Sequence, residues 1–161
     1  MDTNDFYMSA SEYDLITKKT PLPTVNLVFL RENKKRRETL LLKRKTGYAQ
    51  GRWCIIGGRI RIKESLKAAI ARQAKDLAVI VEIISPFGPN FPSFVDDRKN
   101  QDRTKHPISL IYPVRIISGQ VREKGEEYKG YKWFPVNKLP KIAYGQKLQI
   151  KKTIEQLRKM L

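Results

Sequence analysis

The residues best able to do chemistry in this sequence are Gly58, Arg59, Glu64, Arg72 and Asp76, all within one short stretch. Trp53-Cys54-Ile55-Ile56 reads as a short apolar strand running into the double glycine Gly57-Gly58. A basic loop follows, then an amphipathic helix carrying Glu64, Arg72 and Asp76. Strand, glycine turn and helix N-terminus offer backbone N–H groups and a positive dipole end to phosphate. A helix-borne carboxylate suits a divalent cation, because Mg²⁺ takes hard oxygen ligands.

Other elements must position that stretch. Ser9 with Glu12 forms a capping box, so a short helix is predicted to about Lys18, stopping before Pro21. Thr24 to Leu30 and Thr39 to Lys43 read as a β-hairpin around the charged turn Glu32 to Glu38. Lys63 to Ala78 lacks proline and glycine and places Leu66, Ile70 and Leu77 on one face, which predicts a helix. Val79 to Ile84 is strand-like, and Pro86 to His106 is a long irregular segment of the kind that forms binding loops. Ile108 to Ile117 is the most apolar strand, and Pro113 within it predicts an edge or a bulge. Glu123 to Gly130 reads as a loop before a short strand at Tyr131 to Phe134. Ile150, Ile154, Leu157 and Leu161 form an apolar stripe on a basic final helix, which predicts docking onto the sheet. The expected fold is α+β, a mixed β-sheet sandwiched between α-helices. One domain is expected over 1–161, with an N-terminal helix and arm at 1–20 and a C-terminal helix at 145–161.

Charge is the unusual part of the composition. Lys+Arg 33 against Asp+Glu 16 gives a formal net charge of +17. Such a surface attracts polyanions, whether nucleotide substrates or RNA. The basic residues are dispersed, which fits a solvated surface; a dedicated RNA-binding surface is the alternative. Apolar runs are too short for a membrane span, and the acidic N-terminus is unlike a signal peptide. The single cysteine, Cys54, excludes an internal disulfide, so a cytoplasmic setting is expected.

Gly58, five residues, Glu64, seven residues, Arg72 has the spacing that opens the Nudix box, and Trp53 with Gly57-Gly58 matches its usual lead-in. Thr20-Pro21-Leu22, Leu42-Lys43-Arg44, Ala49-Gln50-Gly51-Arg52-Trp53, Phe94-Val95-Asp96-Asp97 and Tyr131-Lys132-Trp133 read like the GDP-mannose mannosyl hydrolase branch of that superfamily. The sequence therefore resembles a Nudix hydrolase of that branch over roughly residues 9 to 140. The resemblance implies hydrolysis of a nucleoside-diphosphate sugar with Mg²⁺ or Mn²⁺. In that branch the attack is on the sugar anomeric carbon, and cations neutralise the diphosphate leaving group. It implies that Arg44 and Arg59 grip phosphate, where a guanidinium can bond bidentately. Asn26 and Asp96 join them as substrate-binding residues, and the Gly58 carbonyl joins the metal shell. Glu64 and Arg72 pair across the loop–helix junction. The branch tends to dimerise, so a homodimer involving the N-terminal helix is a further expectation.

The sequence departs from the pattern after Arg72. Acidic residues are expected at the next position and at the fourth and fifth beyond it; here stand Gln73, Asp76 and Leu77. The branch keeps its one carboxylate at the position of Leu77, which cannot bind a metal and instead extends the apolar face. Asp76, next to it, is the available replacement. Glu127 and Tyr128 occupy the places of a glutamine ligand and a histidine base, and Asn26 stands for an aspartate. The expected metal shell is thus Gly58, Asp76 and Glu127, with Arg44, Arg59 and Tyr128 as catalytic residues. A phenol is a weak base, with an ordinary pKa of about 10 against about 6.5 for histidine. The only histidine is His106, at the start of a strand. Two classes of function follow: a Nudix-type hydrolase, or a silent Nudix-fold module that binds nucleotide or RNA.

Overall fold

The computed structural model describes residues 8–47, 49–84, 92–93, 107–122, 126–143 and 145–160. Asp96, His106, Leu161 and most of the predicted loop from Pro86 to His106 lie outside the described residues. The spine is β1 (Leu22–Asn33), which changes partners along its length. Its first part runs parallel to β7 (Pro107–Gly119) and antiparallel to β4 (Ile56–Arg59). Its last residues, Leu30 to Asn33, pair antiparallel with β2 (Arg36–Arg44). β2 in turn pairs with β8 (Tyr128–Pro135) and the two-residue β3 (Trp53–Cys54). β5 (Val79–Ile83) and the short β6 (Pro92–Ser93) both pair with β7.

Strand alternation sends neighbouring β1 residues to opposite faces. Val25, Leu27 and Phe29 pack in one cluster with Ala69, Ile70, Ala74 and Leu77 of α2 (Leu66–Lys75) and the turn after it. Val28 and Leu30 pack in the other with Ile150, Ile154 and Leu157 of α3 (Gln146–Met160). The mixed sheet sandwiched between helices is therefore as expected, and the apolar stripe of α3 docks onto it. Leu77, 1% exposed, is a core residue. α1 (Ala10–Lys19) has the capping box: Ser9 Oγ accepts from the Glu12 N–H, and the Ser9 N–H donates to Glu12 Oε2 at 2.7 Å.

Three expectations need correction. α2 is shorter than predicted at both ends, beginning after its cap Ser65 and ending with Asp76 as its C-cap. The last strand begins at Tyr128 rather than Tyr131. Pro113 lies in the sheet interior rather than on an edge, paired with Val28 on one side. Its carbonyl accepts from the Ile84 N–H at 3.0 Å on the other. β5 pairs with Val114 and beyond, β6 with Ser109 and Leu110, so the missing proline N–H falls in the gap between the two ladders.

Ile150 is fully buried under the sheet. Ile150→Ala is expected to cost about 2–5 kcal/mol in urea unfolding; a loss below about 0.5 kcal/mol would mean that α3 is not docked.

Candidate functional site

The loop between β4 and α2 is held by one bidentate ion pair. Arg72 donates from Nε to Glu64 Oε1 at 2.7 Å and from NH2 to Oε2 at 2.9 Å. The same NH2 donates to the Arg59 carbonyl at 2.8 Å, and the Arg61 N–H donates to Glu64 Oε2 at 2.9 Å. One guanidinium and one carboxylate thus tie both ends of the basic loop to the helix. The Arg72 hydrogen bond is the main reason the Glu64 carboxyl sits below its ordinary value of 4.5; burial opposes it and the Arg61 N–H adds to it.

The Gln73 side chain of the helix fills the space beside Gly58. A Cβ on Gly58 would lie 2.3 Å from the Gln73 side-chain nitrogen. With the Gln73 carboxamide turned so that its oxygen faces the donors, it accepts from the Gly58 N–H and from Arg72 NH1, each at 3.2 Å. Gly57 faces the other way, and a Cβ there would lie 2.0 Å from Asn26 Oδ1.

On Gly57's side lies a cavity of about 80 Å³ lined by Asn26, Arg44, Cys54, Gly57, Tyr128 and Gln146, among others. Arg44 NH1 meets Glu127 Oε2 at 3.2 Å and the Tyr128 hydroxyl at 3.4 Å, and the guanidinium lies 5.4 Å from the Tyr128 ring centre. Arg44 Nε is buried without a hydrogen-bond partner among the described residues. Burial pushes the Tyr128 phenol up to about 12 and, close by, the Cys54 thiol to about 12 as well. Tyr128 therefore stays protonated at neutral pH. It works as a hydrogen-bonding wall behind Arg44, not as a base. Asn26 donates to Gln149 Oε1 at 3.2 Å, and Gln146 Oε1 accepts from the Ile55 N–H at 2.9 Å.

The cavity thus gathers three expected residues, Asn26, Arg44 and Tyr128, with Glu127 at the rim. Arg59 points elsewhere, over the Tyr13 ring of α1 at 5.8 Å. Gly58 stands against Gln73 of α2, whereas Glu127 pairs with Arg44. Among the described residues no group of three or more His, Cys, Asp or Glu gathers as a metal site. Asp96 lies outside the described residues. Sequence reading missed Gln146 and Gln149. The available signal was their spacing on the final helix: Gln149 directly precedes the stripe residue Ile150, and it is 3% exposed.

The NUDIX domain family model matches residues 20–157. The chain belongs to the NUDIX domain family. It is 27% identical over 132 residues to an ADP-ribose pyrophosphatase of Methanocaldococcus jannaschii, covering 81% of this chain and 72% of the relative. The Nudix domain of Shewanella oneidensis NrtR, solved in complex with ADP ribose, superposes with a TM-score of 0.63 at 21% identity, covering 93% of this chain and 99% of that one. An ADP-ribose pyrophosphatase of Streptococcus suis gives a TM-score of 0.59 at 20% identity, covering 86% of this chain and 93% of that one. These structures share the Nudix fold. The resemblance to the GDP-mannose branch keeps its coarser content, a Nudix fold.

Ala78 has φ 58, the left-handed conformation in which the helix-ending glycine would stand. The last turn tightens, with the Leu77 N–H on the Ala74 carbonyl and the Ala78 N–H on the Lys75 carbonyl. The helix therefore stops at Lys75 with Asp76 as its exposed C-cap, and Leu77 falls into the core. Gln73 and Asp76, three apart, are neighbours on one helix face, and Gln73 already stands against Gly58.

For the divalent metal that Nudix enzymes generally use, this donor set fits one arrangement. Mg²⁺ is commonly held by one or two carboxylates plus substrate phosphates, keeping several waters. Asp76 and the Gly58 carbonyl suit that. They do not suit a cluster of protein carboxylates. No helix among the described residues is long and apolar enough to cross a membrane.

Two outcomes check the site's framework. Ala78 is exposed, so Ala78→Gly is expected to stabilise the protein by about 1 kcal/mol by relieving the left-handed backbone. An unchanged urea midpoint would remove the helix-end assignment. Because the Glu64 pKa is lowered on folding, its contribution is present above 4.5 and is lost as pH falls through the folded value. Glu64→Gln is therefore expected to lower stability at neutral pH and to flatten its loss in acid; parallel acid limbs for the two proteins would contradict the pairing.

Proposed function

We propose that the protein is a Nudix-type hydrolase of a nucleoside diphosphate joined to a sugar, of the ADP-ribose kind, acting with Mg²⁺ or Mn²⁺. One observation carries the reading: Arg44 Nε is buried at the cavity with no acceptor among the described residues. Leaving a buried charged donor unpaired is costly, and a phosphate oxygen is the acceptor that a guanidinium fits best. A cavity of about 80 Å³ takes a phosphate group but not a whole nucleotide, so the base and sugar extend over the surface.

Arg44 binds one phosphate through Nε and stabilises the negative charge that develops when the bridging P–O bond breaks. Tyr128 accepts from Arg44 NH1 through its hydroxyl and so helps to hold the guanidinium in place. Glu127, with 63% of its side chain exposed, is the partner that yields NH1 to the incoming phosphate. Gln73 and the Glu64–Arg72 pair keep the Gly58 loop in place. A bound divalent ion supplies charge neutralisation on the diphosphate, with Asp76 and the Gly58 carbonyl as its protein ligands. Arg59 is the second phosphate contact once it leaves the Tyr13 ring, and Asn26 and Asp96 are assigned to the substrate.

Attack at the sugar carbon, which the GDP-mannose branch implies, needs a base at Tyr128, and that phenol stays protonated. Attack of water on phosphorus is therefore favoured. It releases a nucleoside monophosphate, a sugar phosphate and two protons. A second reading, a silent Nudix module that binds the same ligand, is favoured by Gln73 and Leu77 at two acid positions.

Incubation with ADP-ribose and GDP-mannose, each with Mg²⁺, is expected to yield nucleoside monophosphate and sugar phosphate, with activity abolished by EDTA. Free sugar as product would move the reading to the GDP-mannose branch. Tight binding with no turnover would establish the silent module. Arg44→Ala is expected to lower kcat/KM by about 10²–10³-fold, and Asp76→Asn to raise the Mg²⁺ concentration needed for half-maximal rate. An active Arg44→Ala enzyme would remove the assignment.

A further inference from the structure

At the end of β2 opposite Arg44 lies a groove of about 350 Å³ whose walls are cationic. Lys35, Arg36 and Arg37 come from the β1–β2 hairpin, and Arg158 comes from the last turn of α3. Arg36 and Arg44 bound β2, so the groove is about 27 Å from the cavity along the strand. The one acid in its lining, Glu32, is held by Arg37 at 2.6 Å. Lys35, Arg36 and Arg158 pair with no carboxylate among the described residues; Arg36 acts only through space on Glu38.

The hairpin tip is strained in a way that charge explains. Asn33 pairs with Arg36, leaving Lys34 and Lys35 as a two-residue turn with φ 47 and 64. Such a turn favours Asn-Gly, because side chains beyond Cβ resist the left-handed region. Two lysines there lower stability, and one of them, Lys35, lines the groove. We infer that this groove binds the sugar-phosphate backbone of a nucleic acid, at a site separate from the Arg44 cavity. The observations favour a nucleic acid over a lipid surface. A membrane site pairs its cations with exposed apolar side chains, whereas Val136 is the only apolar residue among those lining the groove, and it is half-buried. A concave wall with several free cations follows a phosphate chain.

The test is fluorescence anisotropy on the full chain. The probes are a labelled 20-nucleotide RNA of mixed sequence, a DNA of the same sequence, and vesicles of phosphatidylserine and phosphatidylcholine, each over a salt series. Lys35→Glu/Arg36→Glu/Arg158→Glu is expected to weaken nucleic-acid binding at least about tenfold and to reduce the slope of log affinity against log salt by about two. ADP-ribose is expected not to compete, and hydrolysis by the triple variant to be unchanged, which also reports its folding. Lys34→Asn/Lys35→Gly, which relaxes the turn, is expected to raise Tm while lowering affinity by about threefold. The RNA and DNA arms decide which backbone is preferred. Absence of binding to both, binding that the triple variant does not change, competition by ADP-ribose, or binding to vesicles alone would each overturn the proposal.

Discussion

The close approach of α2 to β4, locked by Glu64 and Arg72, is the contact on which the rest of the site depends. Arg72 spends its guanidinium on both carboxylate oxygens and on the Arg59 carbonyl, so one side chain closes the loop at both ends. Beside it, the Gln73 side chain fills the space that Gly58, lacking a side chain, leaves open. The pair is mostly shielded, with Glu64 at 11% and Arg72 at 23% exposure, so it is more than a surface ion pair. Hydrogen bonds to charged groups of this kind contribute roughly 1.5–3 kcal/mol each.

Two consequences reach the chemistry. Fixing Gly58 against Gln73 sets Gly57 against Asn26, and so forms the floor of the Arg44 cavity on the other side of β4. Fixing the start of α2 also sets its end. The left-handed residue at Ala78 follows the helix end, and Leu77 is buried beneath the sheet. The loss at Gln73 is a real change of chemistry, from a charged ligand to an amide that bonds backbone and Arg72.

Much of this was legible from residue spacing. The Gly58, Glu64 and Arg72 intervals located the clamp, and the four, seven and eleven offsets from Ile150 located the docked helix. Local patterns carry such information because helix geometry repeats. What was not legible depends on tertiary context. Alanine at a left-handed position hides a helix end that glycine would mark. Pro113 looks like an edge residue until the two separate strands on its open side are known. Gln146 reaches the cavity, and Gln149 the Asn26 side chain, from a helix more than a hundred residues after Asn26. Arg44 and Glu127, 83 residues apart, pair only because β2 and β8 are neighbours. Arg59 was expected beside Arg44, and the Tyr13 ring draws it to α1 instead.

The central claim is that the buried Nε–H of Arg44 is the donor for a ligand phosphate. Its most direct measurement is the ¹⁵N–¹H resonance of Arg44 Nε, assigned by Arg44→Lys, during titration with ADP-ribose in Mg²⁺. A saturable downfield shift with slowed solvent exchange is the predicted result. Saturation of ADP-ribose binding with this resonance unmoved would contradict it.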